Sequence, residues 1–124
     1  MEKIFLVAAG GMIGAVCRYL VTYLSLEKLG VGFPYGTLIV NIVGCLLAGA
    51  VMGAISEKLL LNENMRLLLV VGFAGGLTTF SSFSFDTINL LQQGQAYLAV
   101  VNVFANMFLG FLATILGIHV VRLF

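Results

Sequence analysis

The charged residues divide the chain into long apolar segments. Arg18 is the only charged residue between Lys3 and Glu27, and residues 29–56 carry no charge. An apolar segment of roughly 20 residues is long enough to cross the hydrocarbon core of a bilayer as an α-helix. The pattern therefore predicts four transmembrane helices, at about residues 4–24, 35–56, 66–91 and 96–121.

A polar turn, rather than a charge, separates the last two predicted helices. No Asp, Glu, Lys or Arg lies between Asp86 and Arg122, and this stretch is too long for one helix. Residues 92–95 read Gln-Gln-Gly-Gln, a polar cluster with a glycine that is typical of a turn. We therefore predict that one helix ends and the next begins there.

The middle of the third predicted helix is a poor helical sequence. Residues 72–85 read Gly-Phe-Ala-Gly-Gly-Leu-Thr-Thr-Phe-Ser-Ser-Phe-Ser-Phe. Each glycine costs about 1 kcal/mol relative to alanine, and short hydroxyl side chains compete with the backbone hydrogen bonds. We predict an interruption near residues 75–79. Because unpaired backbone groups are costly in lipid, such a break must be buried in protein, line water or coordinate an ion.

The composition excludes most other classes of protein. The 124 residues are 61% hydrophobic and 9% charged, with a mean hydropathy of +1.15, whereas soluble domains are roughly one quarter charged. A net charge of +1 gives no field that would attract nucleic acid. We therefore predict an all-α integral membrane protein with a single four-helix domain, residues 1–124, in the lipid bilayer and without a nucleic-acid partner.

The 15 glycines indicate close contacts between helices. In lipid, glycine lets two helix backbones approach each other closely. Gly10 and Gly14 are four residues apart, as are Gly49 and Gly53. The fourth predicted helix carries a stripe at the same interval, formed by Asn102, Asn106, Gly110 and Thr114. We expect these faces to contact other helices rather than lipid.

The basic residues give only a weak preference for one orientation in the membrane. With four helices, one side of the membrane has Lys28 and, if it reaches that surface, Arg18. The opposite side has Lys3, Lys58, Arg66 and Arg122. Since basic residues favour the cytoplasmic side, so small a difference is compatible with insertion in both orientations.

The sequence contains no recognisable enzyme site. His119 is the only histidine, and one imidazole without a nearby Cys or carboxylate builds neither a catalytic nor a metal site. The serines after the predicted break have no histidine or lysine close in sequence to act as a base. We therefore predict that the protein is not an enzyme and that its polar residues instead form a permeation pathway.

Uncharged polar side chains able to face the interior of the bundle suit such a pathway. They are Asn41, Thr78, Thr79, Ser81, Ser84, Asn106 and Thr114. These groups can hydrogen-bond an anion without trapping it by full charge. Phe80 and Phe83 share one helical face, and the positive edges of their rings suit an anion, although aromatic pairs at this spacing also form ordinary cores. Both interpretations stay open at this point.

Two charged residues also have alternative interpretations. Arg18 is functional if it is buried, whereas Tyr19 and Tyr23 after it favour a structural place at the membrane surface. Asp86 is expected to cap a helix or face a vestibule.

A single four-helix chain is too tightly packed to enclose a water-filled route, so we expect more than one copy. The small-residue stripes would then be in contact, and the break would be protected at the interface.

Three blocks of the sequence are similar to a known family. They are residues 11–15 (Gly-Met-Ile-Gly-Ala) followed by Arg18-Tyr19, residues 36–41 (Gly-Thr-Leu-Ile-Val-Asn), and residues 72–83. With these blocks the chain resembles the Fluc (CrcB-type) fluoride channels. The resemblance extends over essentially the whole chain, and the third block is the most specific.

The resemblance implies a fold, a function and a set of site residues. It implies an inverted, antiparallel homodimer with dual topology in the inner cell membrane, through which fluoride leaves the cytoplasm passively, conferring fluoride resistance. It also implies a structural sodium ion at the dimer centre, held by the main-chain carbonyls of Gly75 and Thr78, with two anion pathways around it. The pathway residues that it implies are Phe80, Phe83, Asn41, Ser81, Ser84, Thr114 and Arg18. Asn106 is added by helical spacing alone.

Two other functions are weighed against the channel. A small multidrug exporter is also a short four-helix protein that can insert both ways, but it needs a carboxylate buried in the first helix, where this chain has Arg18. A structural subunit of a larger transporter would explain the glycine stripes and leave the Thr-Phe-Ser run superfluous.

Overall fold

The structure consists of long helices that follow the predicted apolar segments. A computed structural model describes residues 1–57 and 62–123. The helices are α1 (Glu2–Leu29), α2 (Tyr35–Ser56), α3 (residues 63–77), α4 (Phe80–Gln92) and α5 (Ala96–Val120). α3 and α4 together form the third apolar segment, so four segments are long and apolar enough to cross a membrane. Within the described ranges there is no β-strand, and the all-α architecture is confirmed.

α1 is longer than its apolar segment. The apolar pattern predicts an end of the first helix at about residue 24, whereas α1 continues to Leu29. It ends where Gly30 adopts a φ of 85° and donates its N–H to the carbonyl of Leu26 at 3.2 Å. A positive φ at the end of a helix favours glycine, which has no Cβ to clash. Glu27 and Lys28 are exposed, so the last turn extends beyond the apolar segment from which the prediction was made.

α3 is wound differently from a regular α-helix. The turn Glu63–Arg66 is α-helical, Leu67–Ala74 is π-helical, and Gly75–Leu77 is again α-helical. Hydropathy predicts a helix over these residues but does not distinguish α-helical from π-helical winding. π-Helical turns are rare and occur frequently next to functional sites.

Glycines form two close seams between helices. α1 packs on α3, where a Cβ on Gly14 would overlap the carbonyl oxygen of Phe73. α2 packs on α5, where a Cβ on Gly49 would overlap the carbonyl oxygen of Thr114. The predicted helix–helix role of these glycines is therefore observed, since only a residue without a side chain allows such backbone contacts.

One end of the bundle is joined by an ion pair. Arg122 Nε lies 3.0 Å from Glu57 Oε1, so the ends of α2 and α5 lie on the same side, as four consecutive spans require. Lys58, which contributed to the charge comparison, lies outside the described residues.

Large apolar side chains are exposed along the helices, among them Ile4, Phe5, Phe104 and Phe108. An exposed apolar surface of this kind suits a chain whose surroundings are lipid.

Candidate functional site

The third span is interrupted at two threonines. α3 ends at Leu77, and Thr78 and Thr79 are extended, with φ, ψ of −73°, 156° and −153°, 115°. Thr79 is the N-cap of α4, and its hydroxyl oxygen accepts from the backbone N–H of Ser82 at 3.1 Å. The break therefore lies in the last two residues of the predicted interval. The preceding glycine pair stays helical, and Gly76 packs against Gly11 of α1.

Side chains from α1 and α2 satisfy the backbone of the break. Asn41 Oδ1 accepts from the N–H of Thr79 at 2.8 Å, and Asn41 Nδ2 donates to the carbonyl of Thr79 at 3.3 Å. Arg18 Nη1 donates to the carbonyl of Thr78 at 3.1 Å. Thr79 is buried. The protein thus pairs backbone groups of the break and buries Thr79, while Thr78 is half-buried. Such pairing lowers the cost of an irregular backbone at membrane depth.

A chain of side-chain hydrogen bonds continues from Asn41 into α5 and α4. Asn41 Nδ2 donates to Asn106 Oδ1 at 2.9 Å, and Asn106 Nδ2 donates to Asn102 Oδ1 at 3.0 Å. Asn102 Nδ2 donates to the hydroxyl of Thr87 at 2.9 Å, and that hydroxyl donates to the carbonyl of Phe83 at 2.8 Å. Asn102 and Thr87 were not among the predicted site residues. The polar stripe on α5 was the one signal for Asn102, and nothing in the pattern pointed to Thr87.

The two predicted phenyl rings are in contact at the start of α4. The ring centroids of Phe80 and Phe83 are 5.4 Å apart and the rings are tilted by 56°. Phe83 is buried, whereas Phe80 is 76% exposed in the single chain. A tilted pair directs ring edges as well as faces towards its surroundings. Packing within one chain therefore explains the buried position of the Phe83 ring but not the exposed position of the Phe80 ring.

A cavity of about 280 Å³ lies beside these rings. We refer to it as the central cavity. Its lining includes Asn41, Thr78, Phe80, Phe83 and Asn106. Thr79 lines it as well, so the structure brings together the predicted ring pair, both predicted asparagines and both residues of the break.

The remaining predicted residues lie around two further cavities or on the surface. Arg18 and Asp86 face a cavity of about 390 Å³, the vestibule cavity, in which Asp86 Oδ2 accepts from the Thr37 hydroxyl at 2.7 Å. Thr114 and Gly75 line a cavity of about 240 Å³ behind the break, the rear cavity. Ser81 and Ser84 are exposed, and the Ser81 hydroxyl lies 3.1 Å from that of Thr79. Their roles along a pathway stay predictions.

The two asparagines at the central cavity have no free N–H for a ligand in this conformation. Asn41 Nδ2 donates to Thr79 and Asn106, and Asn106 Nδ2 donates to both the carbonyl and the Oδ1 of Asn102. An amide group has two N–H donors, so both sets are used. In this arrangement the asparagines orient the backbone of the break.

The predicted sodium ligands can supply oxygen atoms to a cation. The amide four residues after Gly75 is that of Thr79, which donates to Asn41, and the amide four residues after Thr78 donates to the Thr79 hydroxyl. Both carbonyls are therefore released from their α-helical donors, and unwound backbone carbonyls are suitable sodium ligands. Gly75 is exposed, and the Thr78 carbonyl also accepts from Arg18. The two carbonyls are thus available as oxygen ligands, and the sodium site stays a prediction.

Comparison with known proteins identifies close relatives. A family profile described as "CrcB-like protein, Camphor Resistance (CrcB)" matches residues 5–118. A relative from Rhizobium etli is 43% identical over 122 residues, 98% of both chains. One from Maridesulfovibrio salexigens is 41% identical over 123 residues, 99% of this chain and 98% of its own. One from Shewanella amazonensis is 44% identical over 117 residues, 94% of both. Each is named "Fluoride-specific ion channel FluC".

Proposed function

The chain belongs to the CrcB family, and from this premise we propose that it is a fluoride-selective channel through which fluoride leaves the cytoplasm passively. The resemblance found in the three sequence blocks is confirmed, and the family is one of channels rather than enzymes. The chain is a multi-pass membrane protein. We propose the inner cell membrane as its location and resistance to fluoride as the benefit.

The observation that carries the proposal is the start of α4 beside the central cavity. The N-terminal end of a helix carries a partial positive charge, and here it begins at a break in the middle of a span. Phe80 and Phe83 stand on this first turn and line the central cavity. Among the described residues that line it there is no carboxylate. A small anion entering there would meet positive ring edges and the positive end of a helix.

A positive charge in the vestibule cavity would attract anions towards the break. Arg18 lines it and donates to the Thr78 carbonyl, so its positive charge lies next to the break. Such a charge raises the local concentration of anions. Asp86 lies in the same cavity with its carboxylate bonded to Thr37, which keeps this negative charge at the wall. Ser81, Ser84 and Thr114 are proposed to supply hydroxyl groups along the remaining path.

The function is tested by flux from liposomes that contain the purified chain. We expect fluoride efflux that requires no pH gradient, with chloride efflux and uptake of a cationic dye at the level of empty liposomes. Dye uptake driven by a pH gradient would instead identify an exporter, and the absence of all three fluxes would identify a structural subunit. Glu2 and Glu27, the carboxylates of α1, are exposed at its ends, which argues against the exporter.

The proposed assembly is an antiparallel homodimer with two anion pathways. In one chain Phe80 and Gly75 are exposed next to the break, so the central cavity and the rear cavity are incompletely enclosed. An inverted second copy would cover these positions and protect the break from lipid. The small difference in basic residues between the two sides is compatible with a population of both orientations.

A sodium ion at the dimer centre is part of the same proposal. The carbonyls of Gly75 and Thr78 from both copies would hold it. When bound, the ion would offset the negative ends of the carbonyl dipoles and join the two broken helices. The Arg18 guanidinium also bonds the Thr78 carbonyl. In each copy, the Thr78 oxygen would therefore share its lone pairs between the guanidinium and the sodium ion.

Assembly and ion requirement are tested with the same labelled chain, purified and in cells. Single-molecule photobleaching of a chain with one C-terminal fluorophore should show two steps, and a membrane-impermeant quencher should reach half of the fluorophores in cells. Replacement of sodium by N-methylglucamine should lower fluoride flux and leave the two-step bleaching unchanged over short exposures. Bleaching in a single step would refute the dimer. Quenching of all or none of the fluorophores would refute the dual topology, and fluoride flux that does not depend on sodium would refute the cation site.

A further inference from the structure

A closed set of hydrogen bonds surrounds the segment that carries the phenyl pair. It begins at the N–H of Thr79, immediately before α4, and returns to α4 at the carbonyl of Phe83, one turn later. We call this set the amide circuit, and its members are Thr79, Asn41, Asn106, Asn102, Thr87 and Phe83. The first turn of α4 is therefore tied at both ends to α2 and α5.

Backbone groups at both ends fix the direction of every bond in the circuit. A backbone N–H can only donate, so the Thr79 amide requires the oxygen of Asn41 to face it. A carbonyl can only accept, so the Thr87 hydroxyl uses its hydrogen on Phe83 and must accept from Asn102. Neither end tolerates a reversed amide. The intervening asparagines are therefore held in one orientation.

Asn102 lies away from the surface of the central cavity. It is fully buried, at 0% exposure, and the residues that line the central cavity include Asn106 but not Asn102. Its Oδ1 accepts from Asn106 on its own helix, and its Nδ2 donates across to Thr87 on α4. A buried amide left without these partners would lose more than one hydrogen bond, because its neighbours would also be unpaired.

We propose that Asn102 and Thr87 are positioning residues for conduction. Through the amide circuit they hold the first turn of α4 against α2 and α5, and thereby set where the rings of Phe80 and Phe83 stand at the central cavity. The inference rests on the proposed channel function. It differs from a purely structural role because its effect should appear at the break and in fluoride flux before it appears in the stability of the whole bundle.

The test uses a substitution that removes one hydroxyl and changes the shape of the side chain little. Thr87→Val removes the acceptor of Asn102 and the donor to Phe83, and we expect fluoride flux to fall about fivefold, the equivalent of one net hydrogen bond. Thr87→Ser retains the hydroxyl and should restore flux. Ser56→Ala is the matched control, because Ser56 makes the same kind of bond to the carbonyl four residues earlier, outside the circuit.

A double substitution separates a shared link from two independent losses. Asn102→Leu removes the same contact from the other side. If Asn102 and Thr87 act through their shared bond, the loss of flux in Asn102→Leu/Thr87→Val should be smaller than the product of the two single losses, because that bond can be lost only once. Two independent, multiplying effects would overturn the inference.

Hydrogen exchange supplies a readout that does not depend on flux. In Thr87→Val we expect the amide of Thr79 and those of the first turn of α4 to exchange about fivefold faster than in the wild type. Amides of α2 around Gly49 serve as the internal reference and should not change, and Thr87→Ser and Ser56→Ala should match the wild type.

The combined outcomes distinguish the inference from the proposed function. A wild-type chain that carries no fluoride refutes the channel, and with it the role in conduction. Wild-type fluoride flux together with normal flux in Thr87→Val refutes the positioning role alone, whatever the exchange rates. Reduced flux with unchanged exchange at Thr79 also overturns it, since the circuit would then not be holding the break.

Discussion

Replacement of Gly14 by alanine should prevent the chain from folding into its bundle, whereas Gly11→Ala should leave it folded. A Cβ on Gly14 would overlap the carbonyl oxygen of Phe73 and lie 2.9 Å from the backbone nitrogen of Leu77 and 3.1 Å from the carbonyl carbon of Gly76. All three are backbone atoms of α3, so no side chain can rotate away. Overpacking of a fitted interface costs about 1–3 kcal/mol, and more when the obstacle is rigid.

Gly11 is the matched control because it lies on the same helix and undergoes the same chemical change. A Cβ there would lie 3.8 Å from the nearest atom, the carbonyl oxygen of Gly72, which is an ordinary contact. The measurement is the monodisperse fraction on size-exclusion chromatography in mild detergent, followed by thermal unfolding. A Gly14→Ala protein that is as monodisperse and as stable as Gly11→Ala would show that α1 and α3 are not packed as described.

Replacement of Phe80 or Phe83 by isoleucine should lower fluoride flux more than about tenfold, the equivalent of about 1.4 kcal/mol in the barrier. Isoleucine keeps an apolar side chain of similar bulk but lacks the positive ring edge that we propose an anion meets. Phe80 gives the clearer result, because at 76% exposure it contributes little to the core of one chain. Phe83 is buried, so its replacement also needs a stability measurement.

Phe85→Ile provides the control for the ring pair. Phe85 lies on α4 and is 70% exposed, but it does not line the central cavity. Its replacement should leave flux at the wild-type level, and all three variants should retain the two-step photobleaching of the parent. Wild-type flux in both Phe80→Ile and Phe83→Ile would return the rings to a packing role.

The break shows how far local sequence reasoning extends. The low helix propensity of residues 75–79 correctly predicted an interruption, since propensity is a property of the local chain. The exact place was decided by partners: Gly76 stays helical because it packs on Gly11, while Thr79 leaves the helix to cap α4 and to bond Asn41. Asn41 is 38 residues away in sequence.

The amide circuit shows what local reasoning misses. Asn106 was expected to offer hydrogen bonds to an anion, but in the structure its N–H groups are used by Asn102. Thr87 carried no signal, because a threonine on a helix is unremarkable until a buried amide from another helix faces it. Arg18 had two equal interpretations, and its contact with the Thr78 carbonyl, 60 residues away, connects it to the break.

The amino-acid sequence alone determined the number of spans, the presence of a break in the third and the use of glycine at helix contacts. Each of these follows from apolar length, helix propensity or side-chain size, which are properties of neighbouring residues. Only the tertiary structure decided the π-helical winding of Leu67–Ala74, the two threonines at which the helix stops, and the partners that satisfy their backbone. These depend on which helix faces come together, because a buried polar group takes its partner from whatever element packs against it.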